Sequence, residues 1–464
     1  MTAFSVVNAK VISDNTGASR SMRVLTSSLG VSRPLIDYCL SMHRSFSWQS
    51  KLLRAAKLFL EYAEVNSFNA KDETHLFRNF SNALYRGTID LKTLTDPTGL
   101  YWHGIERGQV NYMITQLSDF FEWLEPSRGS PSGKFNPQYD GNFHDKQIDL
   151  QAYLYRRNKA FLGHSWSTKP IKKARRVRGE PVSKVYSTRP PMFPEDRFEE
   201  LLFKGFNISG KYDYRGMLIT LMLFGGGLRV CEPFHLFVAD VKPHWDDPNK
   251  AFVAVHHPSH GSAPNRWENG YRQGKGSRQE YLAAEFGLSP RHQVTGKLHA
   301  GWKHPALDAK WYMQVHWFPE IYGQWFMKIW IQYMKQVASI PRNHPYAWIN
   351  IDRQPLGGIY SVSQYQKALQ AAVERIGLIF GKSYGTTAHG FRHAFAQRAR
   401  TGDIDPLILQ RLLHHCSLES QQVYTQPEAH EALIAIRSAT AKLREANLQI
   451  SLPNYFSDFH FDEI

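Results

Sequence analysis

Several residues in the second half of the chain have the types and spacing that chemistry on a phosphate ester requires. Arg229 follows a glycine triplet, and Glu232 comes three residues later. His389 precedes Arg392 by three residues, which puts the two side chains on one face of a helix. An arginine guanidinium offers phosphate oxygens a fixed, bidentate fork of N–H donors. Arg229 and Glu232 alone would more simply form a surface ion pair, so phosphate chemistry requires further partners.

A third cluster adds two histidines and a tyrosine. His414 and His415 follow two leucines, and Tyr424 lies nine residues after His415. Cleaving a phosphodiester without a metal requires positive charge on its two non-bridging oxygens, and two arginines can supply it. The order arginine, His-x-x-Arg, histidine and tyrosine within one domain is far more specific than any of its parts. Adjacent histidines point in different directions and no second cluster has ligand spacing, so we expect neither a metal nor another cofactor.

These motifs resemble those of the tyrosine recombinase, or phage integrase, family. Gly-Leu-Arg-Val-Cys-Glu-Pro-Phe-His-Leu at 227–236 resembles the first arginine box, 389–397 resembles the His-x-x-Arg-His box, and 412–424 resembles the Leu-Gly-His box with its terminal nucleophile. The resemblance covers about 195–445 well, and 45–125 only at the level of pattern. It implies a site-specific DNA integrase that needs no ATP, because a phosphotyrosine conserves the energy of the broken phosphodiester.

The resemblance also implies roles for individual side chains. Tyr424 would attack the phosphorus and hold a 3′-phosphotyrosine, while Arg229 and Arg392 bind the phosphate. His389 would assist proton transfer from the tyrosine, and His415 would hydrogen-bond the phosphate. Glu232 and His393 are expected to orient the residues that contact the phosphate, without contacting it themselves.

The family uses a lysine in a β-hairpin turn as general acid toward the 5′-oxygen, and two lysines compete for that role here. Lys275 lies between two glycines, which matches the local sequence of the turn. Lys303 lies nearer the predicted strand 311–317, which leads into the next long helix. That position favours Lys303 slightly.

Two features depart from the family pattern. The glycine that precedes the last histidine in the family is His414 here, which could alter the backbone of the turn or the choice of histidine. The spacing to Tyr424 favours His415. The hairpin region also carries an insertion at about 257–310, whose basic residues could contact DNA: Arg266, Arg272, Lys275, Arg278, Arg291 and Lys297.

The composition of the chain agrees with a DNA partner. Its 56 Lys and Arg exceed its 41 Asp and Glu, and a net charge of +15 favours a polyanion. The three cysteines are scattered, which argues against disulfides. The longest apolar run, 217–224, is far shorter than the roughly 20 residues that span a bilayer, and residues 1–10 lack the pattern of a signal peptide. We therefore expect a soluble, cytoplasmic protein associated with the nucleoid and without a membrane partner.

Hydrophobic periodicity predicts the order of domains and elements. The fold class is mainly α with a small antiparallel sheet, which by resemblance means a helical core-binding domain and a catalytic domain of the DNA breaking-rejoining type. Five segments follow: 1–44 of unknown role, a helical domain at 45–125, a basic linker at 126–193, a catalytic domain at 194–447 and a tail at 448–464. Helices are predicted at 214–224, 321–337 and 362–376, strands at 251–256 and 311–317, and a helix end at Pro126.

The linker carries a basic run that indicates contact with the DNA backbone: Lys169, Lys172, Lys173, Arg175, Arg176 and Arg178. A solvated loop is the simpler alternative. Expected partners are double-stranded DNA, a homotetramer on paired sites and accessory proteins of a mobile element. The acidic and aromatic tail could dock on a neighbouring subunit or be disordered. Two other functions remain open, a type IB topoisomerase-like nicking and closing enzyme and a non-catalytic DNA-binding protein on the same fold.

Overall fold

The structure, a computed structural model, describes residues 4–12, 20–128, 135–137, 143–159, 175–182, 190–264, 267 and 276–416. The chain divides into two compact units, Met1–Lys184 and Val185–Ile464. Within the described ranges, no helix combines the length and the apolar character that crossing a membrane requires. The predicted fold class, mainly α with small antiparallel sheets, is confirmed.

The first unit begins with a three-stranded antiparallel sheet. β1 (Ser5–Val11) pairs with β2 (Arg20–Ser27), and β3 (Gly30–Val31) pairs with the other edge of β2. The polar composition of residues 1–44 did not indicate these strands, because few of their residues face the core. The buried ones in β2 are Met22, Val24 and Leu25.

Four helices complete the core of this unit: α1 (Arg33–Ser41), α2 (Phe46–Asn66), α3 (Glu73–Arg86) and α4 (Arg107–Arg128). The side chains of Ser45 and Asp72 cap α2 and α3 by accepting the N–H groups of Trp48 and His75, at 3.3 and 2.7 Å. The predicted end at Pro126 is wrong by two residues, since α4 continues to Arg128. One proline removes only one backbone hydrogen bond, and so close to the end of a helix the loss is tolerated.

Part of the stretch predicted as a linker belongs to the first unit. It contains α5 (Phe143–Lys159) and the segment 175–182. Val177 lies buried in the core of the unit, and the Asn136 side chain accepts its N–H at 2.8 Å and donates to its carbonyl at 2.9 Å. A single apolar residue among the basic ones therefore anchors this segment.

The second unit is built around a helix that is buried on all sides, α7 (Tyr214–Phe224). Three helices pack against it, which explains why its sequence is apolar around the whole circumference: α9 (Ile321–Val337), α10 (Val362–Arg375) and α11 (Ala388–Thr401). Before it come α6 (Phe198–Glu200), which continues as a π turn to Gly205, and the hairpin of β4 (Asn207–Ile208) and β5 (Lys211–Tyr212).

A small antiparallel sheet covers one side of this core. Its order is β6 (Val241–Pro243), β7 (Ala251–His256) and β8 (Tyr312–Gln314). The connection from β7 to β8 contains the predicted insertion and α8 (Arg278–Phe286). Two of its arginines are buried in the unit, since Arg278 pairs with Asp240 and Arg291 donates to the Phe234 carbonyl at 3.0 Å. The described part of the insertion is therefore folded onto the second unit.

Most element bounds of the second unit follow the predictions. α7, α9 and β7 have the predicted ends, the helix predicted at 362–376 ends one residue earlier, and the strand predicted at 311–317 shortens to β8. α12 (Pro406–Leu412) starts at Asp405, whose carboxylate accepts the N–H of Leu407 at 2.7 Å. The tail 448–464 lies outside the described residues.

Candidate active site

A tight turn after α7 carries the first arginine. Gly227 has φ +65°, and a Cβ at this position would lie 2.7 Å from Cδ1 of Phe395. Only glycine meets both conditions, because other residues resist the left-handed region and fill the space. The turn brings Arg229 to the edge of the core, where its side chain is partly exposed.

Glu232 fixes Arg229 with both of its carboxylate oxygens. The main-chain N–H of Arg229 donates to Oε2 at 2.7 Å, and Nη1 donates to Oε1 at 2.8 Å. Glu232 is 1% exposed. A buried carboxylate is stable only when it is paired and hydrogen-bonded, so this pair locks the geometry of the turn.

α11 carries the His-x-x-Arg motif, with Arg392 buried and His389 exposed one turn earlier. The Arg392 guanidinium donates to the Gly227 carbonyl, to the Leu413 carbonyl at 2.6 Å and to Nε2 of His415 at 2.8 Å. These partners belong to two parts of the chain, the turn after α7 and the turn after α12. Arg392 therefore joins the first arginine turn to the turn that follows α12.

The turn after α12 accommodates the histidine that replaces the family's glycine. His414 has φ +52°, the left-handed conformation that glycine adopts easily, and its ring is 5% exposed. His415 is the residue whose ring meets Arg392, while the His414 carbonyl accepts the N–H of Ala306 at 3.2 Å. The backbone at His414 is thus left-handed although the residue is not glycine.

Lys303 lines one cavity, of about 610 Å³, with Arg229, Glu232 and His389. It lies on the connection between β7 and β8. The rival Lys275 lies outside the described residues. The cavity continues along the polar side chains of α10, among them Ser363, Gln366, Lys367 and Gln370.

Burial and nearby cations hold the histidines of this region uncharged. Partial desolvation by the surrounding side chains, followed by the charge of Lys303, lowers the pKa of His389. Burial and the Arg392 charge lower the pKa of His415 to about 3, and burial with His389 lowers that of His393 to about 4. At neutral pH these rings are neutral. Nε2 of His415 therefore accepts from Arg392, and its proton is on Nδ1.

The remaining predicted residues divide into two groups. Tyr424, Lys169, Lys172 and Lys173 lie outside the described residues. Arg175 pairs with Asp119 at 2.8 Å and with Glu122 at 2.6 Å, whereas Arg176 and Arg178 are exposed on either side of buried Val177. His393 is stacked on His389, with ring centroids 5.4 Å apart.

Sequence reasoning missed the acceptors of Arg392 on the main chain. The carbonyls of Gly227 and Leu413 have no signature in residue type, so no motif could indicate them. Within the described ranges, no group of three or more His, Cys, Asp or Glu side chains has the arrangement of a metal site.

Comparisons with known proteins give weak similarities. No protein-family model matches the chain, and no curated protein matches it. Among solved structures, XerH site-specific recombinase bound to difH substrate is 13% identical, with a TM-score of 0.45, covering 84% of this chain and 79% of that one. The Tn1549 transposon integrase with transposon right end DNA is 14% identical, with a TM-score of 0.34, covering 82% and 99%. A lambda integrase dimer bound to a core site is 13% identical, with a TM-score of 0.29, covering 76% and 95%.

Proposed function

We propose that this chain is a tyrosine-type site-specific DNA recombinase that cleaves and rejoins strands through a 3′-phosphotyrosine at Tyr424. The observation that carries the proposal is the cavity shared by Arg229, Lys303 and His389. Arg392 lies one turn from His389 on α11 and is bonded to His415. The nine residues from His415 to Tyr424 can extend at most about 30 Å, which is ample reach for the cavity.

In the proposed reaction, the phenolic oxygen of Tyr424 attacks the scissile phosphorus, and the bond from phosphorus to the 5′-oxygen breaks. The tyrosine proton passes to His389, which is neutral at physiological pH because its pKa is lowered. Lys303 donates a proton to the departing 5′-oxygen. Attack by a 5′-hydroxyl of the partner strand reverses these steps, so rejoining needs no further energy source.

The two arginines would offset the charge on the non-bridging oxygens in the transition state. Glu232 holds Arg229 in place, and carbonyl groups with His415 hold Arg392. Neither side chain then has to be ordered when DNA binds, which avoids an entropic cost of about 0.5–1.5 kcal/mol for each. Glu232 acts on the reaction only through Arg229, and His393 only through His389, on which it is stacked.

Double-stranded DNA is the proposed partner, and the basic segment of the linker is its proposed backbone contact. Arg176 and Arg178 flank the buried anchor Val177 and are exposed. Phosphate contacts of this kind contribute affinity without reading sequence. Recombination in addition requires a homotetramer on paired sites, and we include accessory proteins of a mobile element in the same proposal.

Substitution of the nucleophile tests the proposal. Tyr424→Phe should bind DNA as the unaltered chain does and form no covalent adduct on a nicked suicide substrate, because phenylalanine lacks the attacking oxygen. The matched control is Tyr384→Phe, since Tyr384 is an exposed tyrosine of the second unit. A covalent adduct that persists in Tyr424→Phe would remove Tyr424 from the reaction.

The same substrate in paired form separates recombination from nicking and closing. The unaltered chain should exchange strands between two sites, and Tyr424→Phe should not. Relaxation of supercoiled DNA without any strand exchange would instead identify a topoisomerase-like enzyme.

A further inference from the structure

The residues just before Lys303 are held by a histidine that the proposed reaction does not use. His235 is 1% exposed, and its Nε2 donates to the Gly301 carbonyl at 3.3 Å. The edge of its ring meets Trp302, with centroids 5.2 Å apart and planes at 88°. One buried side chain therefore fixes both the main chain and the indole that precede Lys303.

Trp302 is the buried residue on which this arrangement depends. It is 6% exposed, and a second ring, that of His257, meets it with centroids 5.5 Å apart. Nδ1 of His257 accepts the N–H groups of Ser259 and His260 at 3.1 and 3.0 Å, which fixes the ring. Trp302 thus lies between two oriented imidazoles, while its neighbour Lys303 is exposed to the cavity.

The same short turn also fixes Arg229. The 3-10 turn Glu232–His235 begins with the carboxylate that binds Arg229 and ends with the histidine that binds Gly301. Four consecutive residues therefore determine the position of one phosphate-binding group and of the segment that carries Lys303. A displacement of His235 would move Lys303 relative to Arg229.

We propose that His235 is a positioning residue for the general acid. Through Gly301 and Trp302 it holds Lys303 at a fixed position relative to Arg229. The inference rests on the proposed function, which assigns the proton donor role to Lys303. His235 contacts neither DNA nor the reacting atoms in this proposal, so its effect on cleavage must pass entirely through Lys303.

A substrate with a 5′-bridging phosphorothiolate tests this path, because its sulfur leaving group needs no proton. His235→Phe keeps a ring beside Trp302 and loses the hydrogen bond to Gly301. In the full chain it should slow cleavage of ordinary DNA about tenfold or more, since a misplacement of about 1 Å can cost about 100-fold. Cleavage of the phosphorothiolate should return to within about threefold of the unaltered chain.

A double substitution gives an independent readout. On ordinary DNA, His235→Phe should add little to Lys303→Ala, because a residue that acts only through Lys303 has nothing left to position. A purely structural role would instead give losses that multiply. The matched control is His260→Phe, the same replacement at an exposed histidine whose ring meets His257 and Trp311. It should leave both substrates unaffected.

The outcomes separate this inference from the proposed function. A loss in His235→Phe that the phosphorothiolate does not rescue, or no loss at all, overturns the positioning role. Failure of the phosphorothiolate to rescue Lys303→Ala, in a chain that still forms its Tyr424 adduct, also overturns it and leaves the recombinase intact. Failure of the unaltered chain to form that adduct removes the proposed function itself. If His235→Phe does not fold, Trp302→Phe is judged by the same rescue.

Discussion

The two arginines of the candidate site are held in opposite ways. Arg229 is bound by one carboxylate, that of Glu232, three residues away in the same turn. Arg392 is bound by two carbonyls and a neutral imidazole that lie 21 to 165 residues away along the chain. The first contact is local and balances charge, whereas the second joins segments that lie far apart in the sequence. One site therefore depends on an ion pair, and the other depends on the fold around it.

This difference has an electrostatic consequence for the histidines. After burial, the Arg392 charge is the largest influence that lowers the pKa of His414 and of His415, each to about 3. The Arg229 charge acts on both as well, but it ranks lower. Arg392 donates directly to the His415 ring at 2.8 Å, so its charge acts on that turn at contact distance.

The largest expected effect is a loss of cleavage activity, and it is the same for both arginines. Arg229→Ala and Arg392→Ala should each reduce cleavage of a suicide substrate by about 100-fold or more, as does the loss of one oxyanion-binding donor elsewhere. Arg398→Ala is the matched control, because Arg398 lies on the same helix but binds Glu195 and main-chain carbonyls. It should keep cleavage within a few-fold.

Near-normal cleavage in either arginine variant would exclude that residue from phosphate binding. Treatment of the unaltered chain with EDTA should leave cleavage unchanged, since the two arginines are proposed to supply the positive charge. Strong inhibition by EDTA would show that a metal supplies it instead.

The second expected effect is a loss of folding stability, and it differs between the two arginines. Arg229→Ala leaves the buried Glu232 carboxylate without its cation and should lower the free energy of unfolding by about 3 kcal/mol. Adding Glu232→Gln should recover part of this loss, because a neutral amide costs less to bury. Arg392→Ala leaves carbonyl acceptors unsatisfied, so the same addition should recover nothing there. Denaturant titration measures all four variants, and equal recovery in both backgrounds would contradict the comparison.

The third expected effect is a loss of stability in acid. The pKa of His414 and His415 is about 3 in the folded chain and about 6.5 when unfolded. Between these values the unfolded chain binds more protons, so stability falls as the pH drops below about 6.5. Each histidine contributes at most about 1.4 kcal/mol per pH unit.

The arginines should differ in this pH dependence as well. Arg392→Gln should flatten the change in melting temperature between pH 7 and pH 5 more than Arg229→Gln does, because Arg392 has the larger influence on both histidines. For each variant, the melting temperature at pH 5 is subtracted from that at pH 7, and these differences are compared. The absolute stabilities are not compared, since both variants are destabilised. A steeper pH dependence in Arg392→Gln would contradict this reasoning.

Local and long-range contacts also explain how much the sequence could predict. α7, α9 and β7 were predicted with their ends, since the apolar pattern of each extends over its whole length. The motifs around Arg229 and Arg392 were recognisable because they depend on side-chain type. The acceptors of Arg392 and the contact of His235 with Gly301 involve main-chain carbonyls, whose positions depend on the folded structure. No spacing of residue types encodes them.

The last prediction concerns the two turns that bind Arg392, because each contains a left-handed residue. Gly227 has φ +65° and itself provides a carbonyl, while His414, with φ +52°, lies between the other two partners, Leu413 and His415. Gly227→Ala should be strongly destabilising, since its Cβ would meet Phe395 at 2.7 Å in addition to the strained φ.

At His414 the backbone can be tested with two variants that differ from each other by only one methyl group. His414→Gly and His414→Ala both remove the buried ring, so any difference between them reflects the left-handed φ. The alanine variant should be less stable than the glycine variant by about 1 kcal/mol, as a Cβ disfavours this conformation. Cleavage by the two should agree within about threefold, because both keep the Leu413 carbonyl and His415 on Arg392. If alanine proves as stable as glycine, the turn does not require the left-handed backbone, and the long-range binding of Arg392 tolerates more change than its contacts indicate.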